Sequence, residues 1–269
     1  MDFRALFHKF EGRFLSDLFL TAVSYNESRT KETPARAVKR RMIIMRKGLT
    51  EVVFILDRSG SMRGLESDTI GGFNSLIEKQ RKEEGEAYIS TVLFDDQTEV
   101  LYDRVPIARV EPMNDRQYYV RGCTALLDAI GEAVDRIATI HKYIREEDRP
   151  EKTLFIITTD GMENASRKYD YKKVKKMIEK EKKKYGWEFL FLGANIDAVN
   201  VAGSFGVDAD RALNYVCDEV GTALNYQVLS DAVSAVRRSK NKAEASAMMN
   251  ACCAPIREDY ERRHKKNKV

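Results

Sequence analysis

Two stretches of this chain, Glu51-Val-Val-Phe-Ile-Leu-Asp57 and Thr153-Leu-Phe-Ile-Ile-Thr-Thr159, carry apolar side chains at consecutive rather than alternate positions. Successive side chains of a strand point to opposite faces. A run without alternation therefore has to be covered on both sides, as in the middle of a parallel sheet. Helices must then lie on both faces of that sheet. Each run also delivers an acid at its end, Asp57 and Asp160.

The surrounding pattern alternates strand and helix. Leu65, Ile70, Phe73, Leu76 and Ile77 predict a helix over 65–84. Residues 86–94 and 98–105 predict strands, and the short Asp95-Asp96-Gln97 link makes them an antiparallel hairpin. Leu126, Leu127, Ile130, Val134 and Ile137 predict a helix over 124–141. A lysine-rich helix over 169–185, a strand over 187–192, a short helix over 195–205, a short strand over 212–216 and a helix over 221–238 complete the body. Right-handed crossovers connect such units.

The two ends differ from the body. Residues 1–47 form an arm whose apolar residues Phe3, Leu6, Phe7, Phe10, Phe14, Leu15, Leu18 and Phe19 have helical spacing. They hold 11 Lys+Arg against 5 Asp+Glu. Residues 239–269 read as a polar, basic tail that frays. Between the ends, residues 48–236 hold 25 basic side chains against 33 acidic ones, an acidic body with basic extremities.

Several classes are excluded. No stretch approaches the ~18 apolar residues of a spanning helix; the best, 14–23, carries Asp17 and is a poor export signal. Cys123 and Cys217 stand alone, Cys252 and Cys253 adjoin, and His8, His141 and His264 share no context, which disfavours a disulfide framework or a zinc site. A reducing compartment, the cytoplasm, is expected. Neither a dinucleotide fingerprint nor a phosphate loop follows the first strand.

In an open α/β sheet, ligands bind beyond the carboxyl ends of the strands. There the first strand ends Asp57-Arg58-Ser59-Gly60-Ser61, the fourth ends Thr158-Thr159-Asp160-Gly161, and the long helix between opens Gly122-Cys123-Thr124. An all-oxygen donor set of this kind suits a hard dication, Mg²⁺ or Mn²⁺. Such an ion removes the repulsion between the two carboxylates. Arg58 and Glu163, beside these positions, read as solvated loop residues. The lysines of 168–184 read as a solvated helix face.

Asp57, Ser59 and Ser61 in D-x-S-x-S spacing, with Thr124 and Asp160 in order behind them, resemble the von Willebrand factor type A domain and its metal-ion-dependent adhesion site. The resemblance covers about residues 48–238, between the arm (1–47) and the tail (239–269). It implies a Rossmann-like, doubly wound α/β sheet of six strands in the order 3-2-1-4-5-6, with the third antiparallel. It implies that Ser59 and Ser61 ligate directly, and that Asp57, Thr124 and Asp160 do so directly or through water. The last ligand then comes from an Asp or Glu of a protein partner, in a module that is not an enzyme. Among family members the chain is similar to intracellular bacterial ones, which implies work beside an AAA-type ATPase or in a stress-resistance complex. No membrane is expected as a partner, nor is nucleic acid, since the basic ends lack interleaved aromatics.

Two other readings follow from the same residues. An aspartate after an apolar strand is also where haloacid dehalogenase phosphatases keep their nucleophile, which would make the chain an Mg²⁺-dependent hydrolase. That chemistry calls for a second acid two residues on, and Ser59 stands there. The basic ends could instead attract nucleic acid without sequence preference.

Overall fold

Residues 45–266 are described by the structure, a computed structural model. The helix expected near the start of the arm lies outside the described residues. In chain order the elements are β1 (Arg46–Asp57), α1 (Glu66–Arg81), β2 (Glu86–Phe94), β3 (Thr98–Pro106), α2 (Leu126–Tyr143), β4 (Pro150–Thr159), α3 (Tyr171–Tyr185), β5 (Glu188–Gly193), α4 (Ala198–Ser204), β6 (Ala212–Asn214), α5 (Glu219–Arg238), α6 (Lys242–Cys252) and α7 (Ala254–Lys266).

The six strands form one sheet in the order β3-β2-β1-β4-β5-β6. Neighbours are parallel except the β2–β3 hairpin. The order and the antiparallel strand match the expectation from sequence. The two apolar runs occupy the centre, with Val52 to Leu56 and Leu154 to Ile157 wholly buried. Val52, Phe54 and Leu56 face one core with Phe73 of α1, Leu229 and Val233 of α5 and Met249 of α6. Val53 and Ile55 face the other with Leu127 and Ile130 of α2, Val174 and Ile178 of α3 and Ala198 of α4.

A glycine sets the distance between two helices on one face of the sheet. Gly72 of α1 lies against the buried Tyr226 ring of α5, and a β-carbon there would overlap that ring. Gly72→Ala should therefore cost about 1–3 kcal/mol in overpacking, against a helix-propensity gain of at most about 1 kcal/mol. Urea unfolding should show a net loss; a net gain would mean the two helices can slide apart freely.

The tail departs from expectation. Beyond Ser239 the chain forms α6 and α7 rather than fraying. Asn241 caps α6, its side chain accepting from the Glu244 N–H at 2.9 Å. Met249, Cys253 and Ile256 are buried in the same core as α1 and α5, and Ala245, one turn before Met249, is buried as well. Their spacing of four, four and three is helical, but the residues between them are mostly small (Ser246, Ala247, Ala251, Cys252, Ala254), so the buried stripe stands out little from its neighbours.

Candidate metal centre

β1 delivers Asp57 to the carboxyl edge of the sheet, and the chain turns sharply through Gly60–Met62. Asp57 is 1% exposed and both its oxygens are engaged. Oδ1 accepts from the Ser59 N–H at 2.7 Å and Oδ2 from the Thr159 hydroxyl at 2.6 Å. The Tyr118 hydroxyl donates to the Asp57 carbonyl at 2.5 Å. Ser61 Oγ donates to Asp160 Oδ1 at 2.5 Å and lies 3.1 Å from Ser59 Oγ. Cys217 Sγ donates to Asp160 Oδ2 at 3.8 Å. A chain of polar contacts thus links Ser59, Ser61 and Asp160, with the Asp57 carboxylate tied to the Ser59 backbone.

Thr124 joins from the loop before α2. A β-carbon placed on Gly161 would lie 3.4 Å from both Ser61 Oγ and Thr124 Oγ1, so these hydroxyls border the same space. Two features hold that loop in place. Gly122, at φ +67°, accepts from the Gly60 N–H at 3.2 Å, and a side chain there would overlap the Asp96 carboxylate. Asn164 Oδ1 accepts from the Thr124 N–H at 2.9 Å, while the Thr124 carbonyl accepts from the Asn164 and Ala165 N–H groups. The five residues singled out from sequence meet at one place, which opens to solvent at Gly60 and Ser61.

Electrostatically the place holds no positive charge paired to its acids among the described residues. Burial pushes the Asp57 carboxyl from its ordinary 3.8 up to about 6, despite the opposing hydrogen bonds from Thr159 and Ser59. Burial also raises Asp160, against the bond from Ser61. Among the described residues neither acid has an ion-pair partner. The adjacent Arg58 is fully buried, not solvated as expected, and its guanidinium pairs with Asp95 at 2.9 Å and Glu99 at 2.8 Å. Arg121 joins Asp95 at 2.7 Å. The hairpin acids absorb the arginine charge that a loop reading would have left near the site.

Glu163 is also no free loop residue. It is half-buried and accepts from the N–H groups of Leu127, Ala165 and Ser166 and from the Ser166 hydroxyl, at 2.7–3.0 Å. It satisfies an otherwise unpaired N–H in the first turn of α2. Sequence reading missed three residues of the site. Thr159 was visible as the last strand residue, though not as the donor to Asp57. Tyr118 and Cys217 arrive from a long loop and from the β6–α5 connection, and no spacing pattern marks either.

The arrangement fits a dication. Two buried acids that have no ion-pair partner among the described residues, with three neighbouring hydroxyls, form an all-oxygen donor set of the type that hard ions take.

No protein-family model and no curated protein matches the chain. Solved structures do. The vWF domain of the type V pili tip protein Mfa5 from Porphyromonas gingivalis aligns at 10% identity over 71% of this chain and 97% of its own, with a TM-score of 0.50. Proximal thread matrix protein 1 from the mussel byssus aligns at 13% identity and a TM-score of 0.47, over 68% of this chain and only 45% of its own length. Manganese-loaded TRAP protein of Plasmodium vivax aligns at 17% identity and a TM-score of 0.45, over 66% of this chain and 72% of that one. At such identities a likeness speaks for the fold, and with the strand order above, the described part of this chain has the von Willebrand factor type A fold.

Proposed function

We propose that the chain is a non-catalytic, divalent-metal-dependent protein-interaction module. The observation that carries this reading is the pair of buried carboxyls of Asp57 and Asp160, without an ion-pair partner among the described residues and set among the hydroxyls of Ser59, Ser61 and Thr124 at a solvent opening. Those five residues would hold Mg²⁺ or Mn²⁺. A bound ion there would supply a positive centre for an Asp or Glu of a partner protein. With three of its five holders neutral hydroxyls, the site would leave such an ion short of negative ligands. No helix among the described residues is long and apolar enough to cross a membrane. On the separate ground that its four cysteines are free thiols, we place the module in the cytoplasm.

Calorimetric titration should register uptake of Mg²⁺ or Mn²⁺ by the wild type and at least tenfold weaker uptake by Ser59→Ala/Ser61→Ala, roughly 1.4 kcal/mol or more. Affinity capture of partners should require the ion and fail in EDTA and in the double variant. Equal capture under all conditions would overturn the reading, as would phosphate release from general substrates that disappears in Asp57→Ala.

A further inference from the structure

The helix α3 carries eight lysines, at 172, 173, 175, 176, 180, 182, 183 and 184, against two glutamates. The rest of the acidic body therefore holds its remaining basic residues in still greater deficit, and charge in this protein is strongly segregated. The buried side of α3 is Val174, Ile178 and Glu181. At 3.6 residues per turn the opposite side is a row of Lys172, Lys176, Lys180 and Lys183, all exposed. The only acid on that side is Glu179, which lies 4.0 Å from Lys175. Lys182 is held by Asp208 and Lys180 touches Glu181, whereas Lys172, Lys176 and Lys183 have no ion-pair partner among the described residues.

Such a row works against the helix. Lysines three and four positions apart repel one another, and the packing of α3 uses none of them. An opposite charge from outside would relieve that cost. Three kinds of polyanion could supply it, and the side chains discriminate among them. An interface with an acidic protein would draw on Arg and aromatics, and lysine is depleted in such interfaces. Stable seating on a membrane needs an apolar face to insert, and the outward row holds none. A nucleic-acid backbone asks only for a line of cations. Successive lysines of the row are separated by about 6 Å of helix rise, comparable to the distance between neighbouring phosphates of one strand.

We propose that the outward lysine row of α3 binds the phosphate backbone of a nucleic-acid strand, without reading its sequence. This surface is separate from the metal centre, and its occupancy is independent of the ion. It also differs from the basic chain ends, whose contribution the test removes by comparison.

The test uses the full chain and a fluorescein-labelled oligothymidylate of about twenty nucleotides, with binding followed by fluorescence anisotropy at increasing salt. The wild type should bind with log affinity falling against log salt at a slope of roughly −3, as for about four phosphates on a single strand. A K172Q/K176Q/K180Q/K183Q variant, whose glutamines keep helix propensity and whose fold is checked by circular dichroism, should bind at least roughly tenfold more weakly at low salt. EDTA should change neither. Undiminished binding by the variant would overturn the proposal by assigning the affinity to the chain ends. So would wild-type protein that ignores the oligonucleotide, or that prefers phosphatidylserine-rich vesicles to it.

Discussion

Asp57→Asn should make the metal-free protein more stable near pH 8 while ending its response to Mg²⁺ or Mn²⁺. The wild-type carboxyl titrates at about 6 in the folded chain instead of its ordinary 3.8, because burial disfavours the ionised form. A shift of about two units corresponds to roughly 3 kcal/mol. Since the folded value is the higher one, this contribution favours folding below about pH 4 and is lost as pH rises through about 6. Asp160 is shifted in the same direction and adds with the same sign. The metal-free wild type near pH 8 therefore carries a buried ionised acid that has hydrogen bonds but, among the described residues, no ion-pair partner.

Asparagine has the same shape and no charge. Its oxygen can still accept from the Ser59 N–H, and the Thr159 hydroxyl can reorient, since it already lies 3.2 Å from the Gly161 carbonyl. In EDTA near pH 8 the variant should melt roughly 6–12 °C above wild type, and the gap should close toward pH 4. Adding millimolar Mn²⁺ should stabilise the wild type, by mass action on the folded state, and leave the variant unmoved. A variant that is less stable than wild type in EDTA, or that still gains from the ion, would show that Asp57 is a structural acid and not a holder of metal.

The parts of this fold that can be read from sequence are those where one residue type has one physical outcome. Continuous apolar runs such as 52–56 and 154–157 have only the centre of a doubly covered sheet to occupy, so β1 and β4 were predictable. The hairpin β2–β3 followed from a link too short for a crossover. The donors Asp57, Ser59 and Ser61 share one turn, and Thr124 and Asp160 sit at element ends whose place the fold dictates. What could not be read depends on tertiary neighbours. Arg58 is buried because Asp95 and Glu99, about forty residues away, fold over it. Glu163 becomes a cap because the loop after β4 doubles back on α2. The helices α6 and α7 hide because their buried positions are few and set among small residues that give little contrast, so only packing against α5 reveals the stripe.

Glu51 shows the same limit from the other end of the sheet, and its removal should be the most damaging single change outside the metal centre. In sequence it merely begins an apolar run. In the fold it is fully buried, accepting from Arg104 Nε at 2.8 Å and lying 2.6 Å from His141 Nε2. Arg104 comes from the irregular part of β3, at φ +51°, with the Tyr88 ring 4.9 Å away. His141 comes from α2 and meets the Trp187 ring edge-on at 5.4 Å. One carboxylate thereby ties the edge strand, the central strand and a covering helix. Glu51→Ala would leave the Arg104 charge partly buried without its partner, a loss of about 3–5 kcal/mol, or a melting point lower by roughly 10 °C. Replacing both charges, Glu51→Met with Arg104→Met, should recover most of that, because no unpaired charge then remains. Response to Mn²⁺ should survive in both, since six residue steps along β1, about 20 Å, separate Glu51 from Asp57. If Glu51→Ala melts within about 1 kcal/mol of wild type, the cluster is wetter than its burial implies. If the double variant is no better than the single, packing rather than the stranded charge explains the cost.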